Sequence, residues 1–248
     1  LRNLLDDVLG AFRLLTRFPV PALECEGDVR LARGVWAYPL VGAVVGALGS
    51  AAWVLSQFVG FGPALSAGIA LSIQILATGA LHEDGLADFA DGLGGRRGRD
   101  STLATMRDSR IGTFGVLALI MVMGLRWGGI AGLALHNVLG GLICAALLGR
   151  LAMVLLLAVL APARRDGLGA MVARPPKSAV LGALAISIVI VFLHLPSSMT
   201  LTVLGGSFAA AGVIGVLAKR AIGGYTGDVL GAAGLAAETT VLLILAAG

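Results

Sequence analysis

A chain of 248 residues with 58% hydrophobic and only 13% charged residues, and a mean hydropathy of +0.96, lies far outside soluble usage and reads as an all-α, polytopic membrane protein forming one membrane-embedded domain over residues 1–248. Its formal charge of +4 arises from 18 Lys and Arg against 14 Asp and Glu; the basic residues cluster in a few segments, so the charge reports topology and not nucleic-acid binding. Two cysteines, Cys25 in a polar stretch and Cys144 in an apolar one, give no basis for a disulfide framework or a cysteine metal site.

At the start, "LRNLLDDVLGAFRLLTRFPVP" repeats Leu1, Leu4, Leu5, Val8, Leu9, Phe12 and Leu15 at helical spacing, with Arg2, Asp6, Arg13 and Arg17 largely off that stripe. The pattern predicts an amphipathic helix that either lies in the membrane interface or packs on the other helices. Asp6 and Asp7 argue against a cleavable signal peptide.

Apolar runs long enough to span a bilayer follow at 36–59, 63–82, 112–134, 138–161, 179–195, 200–218 and 229–247. Counting them alternately places Arg30 and Arg33, the group Arg96, Arg97, Arg99, Arg107 and Arg110, the group Arg164, Arg165, Arg174 and Lys177, and the pair Lys219 and Arg220 on one face. The positive-inside rule makes that face cytoplasmic, in a multi-pass protein of the cell membrane. Arg126, beside Trp127, is expected to snorkel to the outer interface. The polar, Gly-rich segments "HEDGLADFADGLGGRRGRD", "TMRDSRIGTFG" and "GGYTGDVLGA" all fall on the cytoplasmic face. No internal repeat is visible, which weighs against an inverted-repeat transporter.

Continued as a helix from the second span, "EDGLADFAD" puts Asp84, Asp88 and Asp91 within about 60° of one another around the axis. Like charges at that spacing repel, so the face makes sense around a divalent cation, and oxygen ligands favour Mg²⁺ or Mn²⁺ over zinc. Glu83 points about 100° away from Asp84, and His82 lies nearly opposite; His82 is read as a hydrogen-bond donor behind the site. In "MRDSRIGTFG", Arg107 and Arg110 suit bidentate capture of phosphate oxygens, with Ser109 and Thr113 as further donors and Asp108 as metal ligand or orienter of Arg110. The competing reading is a basic loop on lipid headgroups. In "GGYTGDVLGA", Gly223, Gly224 and Gly227 allow a ligand near the backbone beside Thr226, and Asp228 either caps the last helix or binds metal. Arg150, deep in the fourth span, either faces the phosphate site or pairs with Glu238. Together these groups suit phosphoryl-type transfer, in which positioning and charge neutralisation supply most of the catalysis.

The set "LLTRFPVP", "YPLVGAVVGAL", "LHEDGLADFADGLGG", "MRDSRIGTFG" and "GGYTGDVLGA", in that order along nearly the whole chain, resembles the cobalamin synthase family, which attaches the lower nucleotide loop of vitamin B12. The resemblance implies a membrane enzyme that joins adenosylcobinamide-GDP to α-ribazole or its 5′-phosphate, with Mg²⁺ as cofactor and GMP as leaving group. It carries the metal-binding role onto Glu83, Asp84, Asp88 and Asp91 and the phosphate-handling role onto Arg107, Asp108, Ser109 and Arg110. Oligomeric state, homo-oligomer included, stays open. "DFADGLGGR" also fits the first half of the CDP-alcohol phosphotransferase pattern, but Thr105, Ser109 and Thr113 stand where its second half needs Gly, Asp and Asp. Asp84 and Asp88 give one DxxxD of the membrane prenyltransferase type without a second. An ion transporter would continue its acids across the membrane, whereas here only Glu238 lies deeper.

Overall fold

A computed structural model describes residues 2–21, 28–95, 98–134 and 137–248. Leu1, Cys25, Arg96, Arg97 and His136, and the side chains of Arg2 and Arg30, lie outside the described part. The helices are α1 (Arg2–Leu15), α2 (Asp28–Arg33), a 3-10 turn (Gly34–Ala37), α3 (Tyr38–Phe58), α4 (Pro63–Thr78), α5 (Leu81–Gly94), α6 (Arg99–Thr105), α7 (Thr113–Gly132), α8 (Val138–Val159), α9 (Leu168–Met171), α10 (Lys177–His194), α11 (Ser197–Ile222) and α12 (Gly227–Ala247). Among the described residues, six helical runs are long and apolar enough to cross a bilayer, and α4 with α5 makes a seventh if a bent pair is counted as one span.

That bent pair corrects the expectation of a straight second span running into the acidic segment. Helix α4 stops at Gly79, whose φ is +64°, and Ala80 follows at φ +58°. The Gly79 amide bonds to the Leu76 carbonyl at 3.2 Å and the Ala80 amide to that of Ile75 at 3.0 Å, the double closure of a Schellman motif. A left-handed alanine costs roughly 1–2 kcal/mol. The chain then restarts as α5 at 87° to α4. The preceding segment braces this elbow: the Arg17 amide donates to Ala77 O at 2.8 Å, and the Arg17 side chain lies over Gly79, where any Cβ would strike it.

Helix α8 forms the centre, buried on all sides through Leu142, Ala146, Leu147, Leu148, Leu151 and Val154, as expected of a uniformly apolar helix. Small residues allow its neighbours to approach. A Cβ on Gly42 of α3 would stand 2.8 Å from Leu147 Cα, and one on Gly149 would stand 2.8 Å from the Gly234 carbonyl of α12. Close backbone contact of this kind is how helices associate where lipid offers no hydrophobic drive. Outward faces of α10 and α11 expose Leu181, Val189, Phe192, Leu193, Leu201 and Val213, a surface suited to lipid. Helix α1 packs on the other helices, as one of its two sequence readings expects: Ala11 and Leu15 are buried against the bundle while Leu4 and Leu5 are exposed, and the Asp7 carboxylate accepts a bond from Trp36 Nε1 at 3.1 Å.

Alternate counting of spans predicts that the basic loops share one end of the molecule, and they meet there. Arg107 of the α6–α7 loop pairs with Asp166 of the α8–α9 loop at 2.6 Å. Arg164 of that same loop reaches Asp228 at the start of α12. Arg99 donates to the carbonyls of Ile222 (3.0 Å) and Ala163 (2.6 Å) and so ties α6 to the end of α11 and to the α8–α9 loop.

Candidate active site at the loop end of the bundle

Helix α5 runs antiparallel to α12 and presses against its first turns. A Cβ on Gly85 would stand 2.9 Å from Asp228 Cα, and one on Gly231 would stand 3.2 Å from His82 Cα. Only glycines at these positions let the acidic helix reach the "TGD" turn. Asp84, Asp88 and Asp91 share a face, as their spacing requires, but the structure gives them different work.

Asp91 is a helix cap. Its two oxygens accept the Gly112 amide at 2.6 Å and the Gly115 amide at 2.8 Å, so a carboxylate from α5 sits on the N-terminus of α7, where amides are unpaired and the helix dipole favours negative charge. A side chain at either glycine would collide with that carboxylate, which explains the spacing of "IGTFG". Asp84 and Asp88, by contrast, form no hydrogen bond or ion pair among the described residues. Asp88 feels the charges of Asp84, Asp228, Asp91 and Arg164, which places these groups around one small volume.

Glu83 leaves this face. It is buried and pairs with Arg126 at 2.9 Å, so its expected role as a metal ligand is corrected: its helical angle turns it into the bundle. Arg126 is corrected as well, being 2% exposed and bonded to both Glu83 and Glu238. An arginine in mid-span with two carboxylates in reach is held by them and does not snorkel. Arg150 donates to Glu238 at 2.8 Å and to Ala146 O at 3.3 Å, so the pairing reading holds and Arg150 is withdrawn as a substrate-binding residue.

The "GGYTGD" turn is also reassigned in part. Thr226, not Asp228, caps α12, its hydroxyl accepting the Val229 amide at 3.4 Å and donating to Asp228 Oδ2 at 3.0 Å. Gly224 serves chain pairing: a Cβ there would strike the Ala161 carbonyl, which accepts the Tyr225 amide at 3.0 Å while Tyr225 O accepts the Ala163 amide at 2.8 Å. Asp228 faces Arg164, 3.4 Å away, and Gly227 lines a cavity with Asp84 and Asp228.

The "MRDSRIG" loop carries its charges outward. Arg110 forks onto Asp108 through Nε and Nη2, at 3.0 and 2.7 Å, and Asp108 also accepts the Arg110 amide. Bonding by the Arg110 side chain holds the Asp108 carboxyl at about 2, below its usual value of 3.8. Asp108 therefore orients Arg110. Arg107 donates from Nη2 to both carboxylate oxygens of Asp166, at 2.7 and 2.6 Å, and Ser109 is exposed. Arg164 and Asp166 were not singled out by sequence reasoning; the run "RRDG" gave a signal only as a positive loop.

Whether these groups suit a divalent cation depends on the donors left free. Among the described residues no three acidic, His or Cys side chains converge as a ready-made cage. Mg²⁺, however, is usually held by one or two carboxylates with substrate phosphate oxygens and water completing the octahedron. Two unpartnered aspartates, Asp84 and Asp88, in an oxygen-rich setting without Cys fit that mode and not a closed protein site.

The chain matches the family model described as cobalamin-5-phosphate synthase over residues 7–246. It is 41% identical over 248 residues to a Bradyrhizobium diazoefficiens protein named adenosylcobinamide-GDP ribazoletransferase, covering 100% of this chain and 95% of that protein. Proteins of the same name from Rhizobium johnstonii and Azorhizobium caulinodans are 39% and 40% identical, covering 97% of this chain and 96% and 95% of theirs. No solved structure matches.

Proposed function

The chain belongs to the cobalamin-5-phosphate synthase family, and from that membership and the loop-end site we propose that it is an adenosylcobinamide-GDP ribazoletransferase. The observation that carries the reading is a pair of free carboxylates, Asp84 and Asp88, beside Asp228 and Arg164, at the loop end of the bundle that also bears Arg107 and Arg110. A hydroxyl of α-ribazole, or of its 5′-phosphate, attacks the phosphorus bonded to cobinamide. The new O–P bond forms as the bond from that phosphorus to the bridging oxygen breaks, and GMP leaves with that oxygen. The hydroxyl proton passes to a carboxylate on the Asp84 and Asp88 face.

Each residue acts by position. Arg110 already holds a planar guanidinium fork against the Asp108 carboxylate and Arg107 meets both oxygens of Asp166 through Nη2, and a diphosphate presents the same paired oxygens. Exchange of one oxyanion for another keeps both arginines paired throughout. Arg164, partly engaged by Asp228 at 3.4 Å and with a second nitrogen unpartnered, has donors left for a phosphate oxygen. We propose Mg²⁺, with Mn²⁺ able to replace it, held by Asp84 and Asp88; when bound, it neutralises charge on the diphosphate. Asp91 keeps α7 and the arginine loop docked on α5. The basic loops, read by the positive-inside rule, support a bundle in the cell membrane with this end toward the cytoplasm.

Membranes carrying the chain, given adenosylcobinamide-GDP and α-ribazole with Mg²⁺, should release GMP and form adenosylcobalamin, and EDTA should stop both. GMP release without α-ribazole would point to a hydrolase instead.

A further inference from the structure

A cavity of about 210 Å³ opens between α1, α3, α5, α8, α9 and α12. Its walls are largely apolar, from Leu81, Met153, Val172 and Leu230, with Asp84, Asp228 and Arg164 also lining it. Two further wall residues carry buried polar atoms without any protein partner, the Tyr38 hydroxyl and His82 Nε2, and an Arg164 Nη1 is unpartnered too. Tyr38 and His82 are each 2% exposed. Buried polar groups are nearly always bonded, so three orphans around one cavity call for a ligand that satisfies them.

We propose that this cavity is the subsite for the aromatic heterocycle of the acceptor nucleoside, with the Tyr38 hydroxyl donating to its free ring nitrogen. The assignment rests on the transferase reading. Size and polarity select the occupant. A space of this volume takes a bicyclic ring and not a corrin macrocycle. Guanine would bring an exocyclic amine and a carbonyl against Leu81, Met153, Val172 and Leu230, leaving polar groups unpaired. A benzimidazole-type base has one apolar edge for those walls and ring nitrogen on the other side. Both orphan atoms are sealed in the ligand-free chain, so entry requires a wall side chain to move; Met153, unbranched and flexible, is suited to do so. A base seated here directs its ribose toward Asp84 and Asp228, where the attacking hydroxyl is needed.

Tyr38→Phe provides the test, because its hydroxyl holds nothing in the protein. Calorimetric binding to the full chain in detergent should show α-ribazole and its free heterocyclic base each weakened about tenfold, the scale of one hydrogen bond to ligand. Binding of adenosylcobinamide-GDP and the melting temperature should stay at parent values or, for the latter, rise. Unchanged α-ribazole binding overturns the subsite. So does weakening of α-ribazole but not of its free base, or equal weakening of the donor. Absence of GMP release by the parent protein would sink the transferase reading separately, since base binding to Tyr38 is measured without turnover.

Discussion

Two sets of charges in this molecule use the same residue types and end in opposite conditions. Inside the bundle, Arg126, Arg150, Glu83 and Glu238 join α5, α7, α8 and α12 with every side chain at most 10% exposed. At the loop end, Arg107 with Asp166 and Arg110 with Asp108 form pairs as short, at 2.6 and 2.7 Å, but most of their side chains face solvent. Buried ions cannot be left single, because desolvation is then uncompensated, so the inner four are fixed to one another and to the fold. Exposed pairs are worth little and exchange partners readily. The contrast separates arginines that hold the acidic helix in place from the solvent-facing arginines proposed above to receive the diphosphate.

The largest effect is expected from Arg126→Leu, which strands Glu83 and half of Glu238 and should cost about 3–5 kcal/mol, read as a fall in melting temperature in detergent. Adding Glu83→Gln should restore part of the loss. Parent-like stability in the single variant would return Arg126 to the outer interface. Next comes the free acid face: Asp84→Asn or Asp88→Asn should lower GMP release by roughly 10²-fold, the scale of losing a preorganised charge, without changing the melting temperature. Full activity in Asp88→Asn would end the role of that carboxylate.

Arg110→Lys keeps the charge and loses the fork, so it should fall about tenfold in activity and lie close to Arg110→Ala; a parent-like Lys variant would favour lipid headgroups as the partner. Arg99→Lys, neutral if the segment were simple linker, should instead destabilise by about 1 kcal/mol, because its bonds to Ile222 O and Ala163 O hold loops together. Acid effects come last. Since the folded Asp108 carboxyl is depressed to about 2 by Arg110, the contribution of the pair is present above its ordinary value of 3.8 and disappears only as pH falls through about 2. The activity ratio of parent to Asp108→Asn should therefore be flat from about pH 5 to 9. A ratio that titrates in that window would mean the pair is not formed.

Composition and apolar run length were enough to specify a helical membrane bundle, and alternation of basic loops was enough to bring "HEDGLADFADG", "MRDSRIG" and "GGYTGD" to one end, because both follow from the bilayer acting on local stretches of chain. Helical spacing likewise fixed a shared face for Asp84, Asp88 and Asp91. What spacing could not give was each acid's partner. Asp91 is a cap only because Gly112 and Gly115 arrive from α7; Glu83 is structural only because Arg126 stands across from it; and Thr226 displaces Asp228 as cap through local turn geometry. The elbow at Gly79 and Ala80 was hidden too, since an apolar run reads the same whether straight or bent and the Schellman closure depends on two backbone angles. Pairing of buried charge is a long-range matter, decided when α5, α7, α8 and α12 pack, and it was that packing which joined Glu83 and Glu238 to Arg126 and Arg150 inside the fold and left Asp84 and Asp88 without such partners among the described residues.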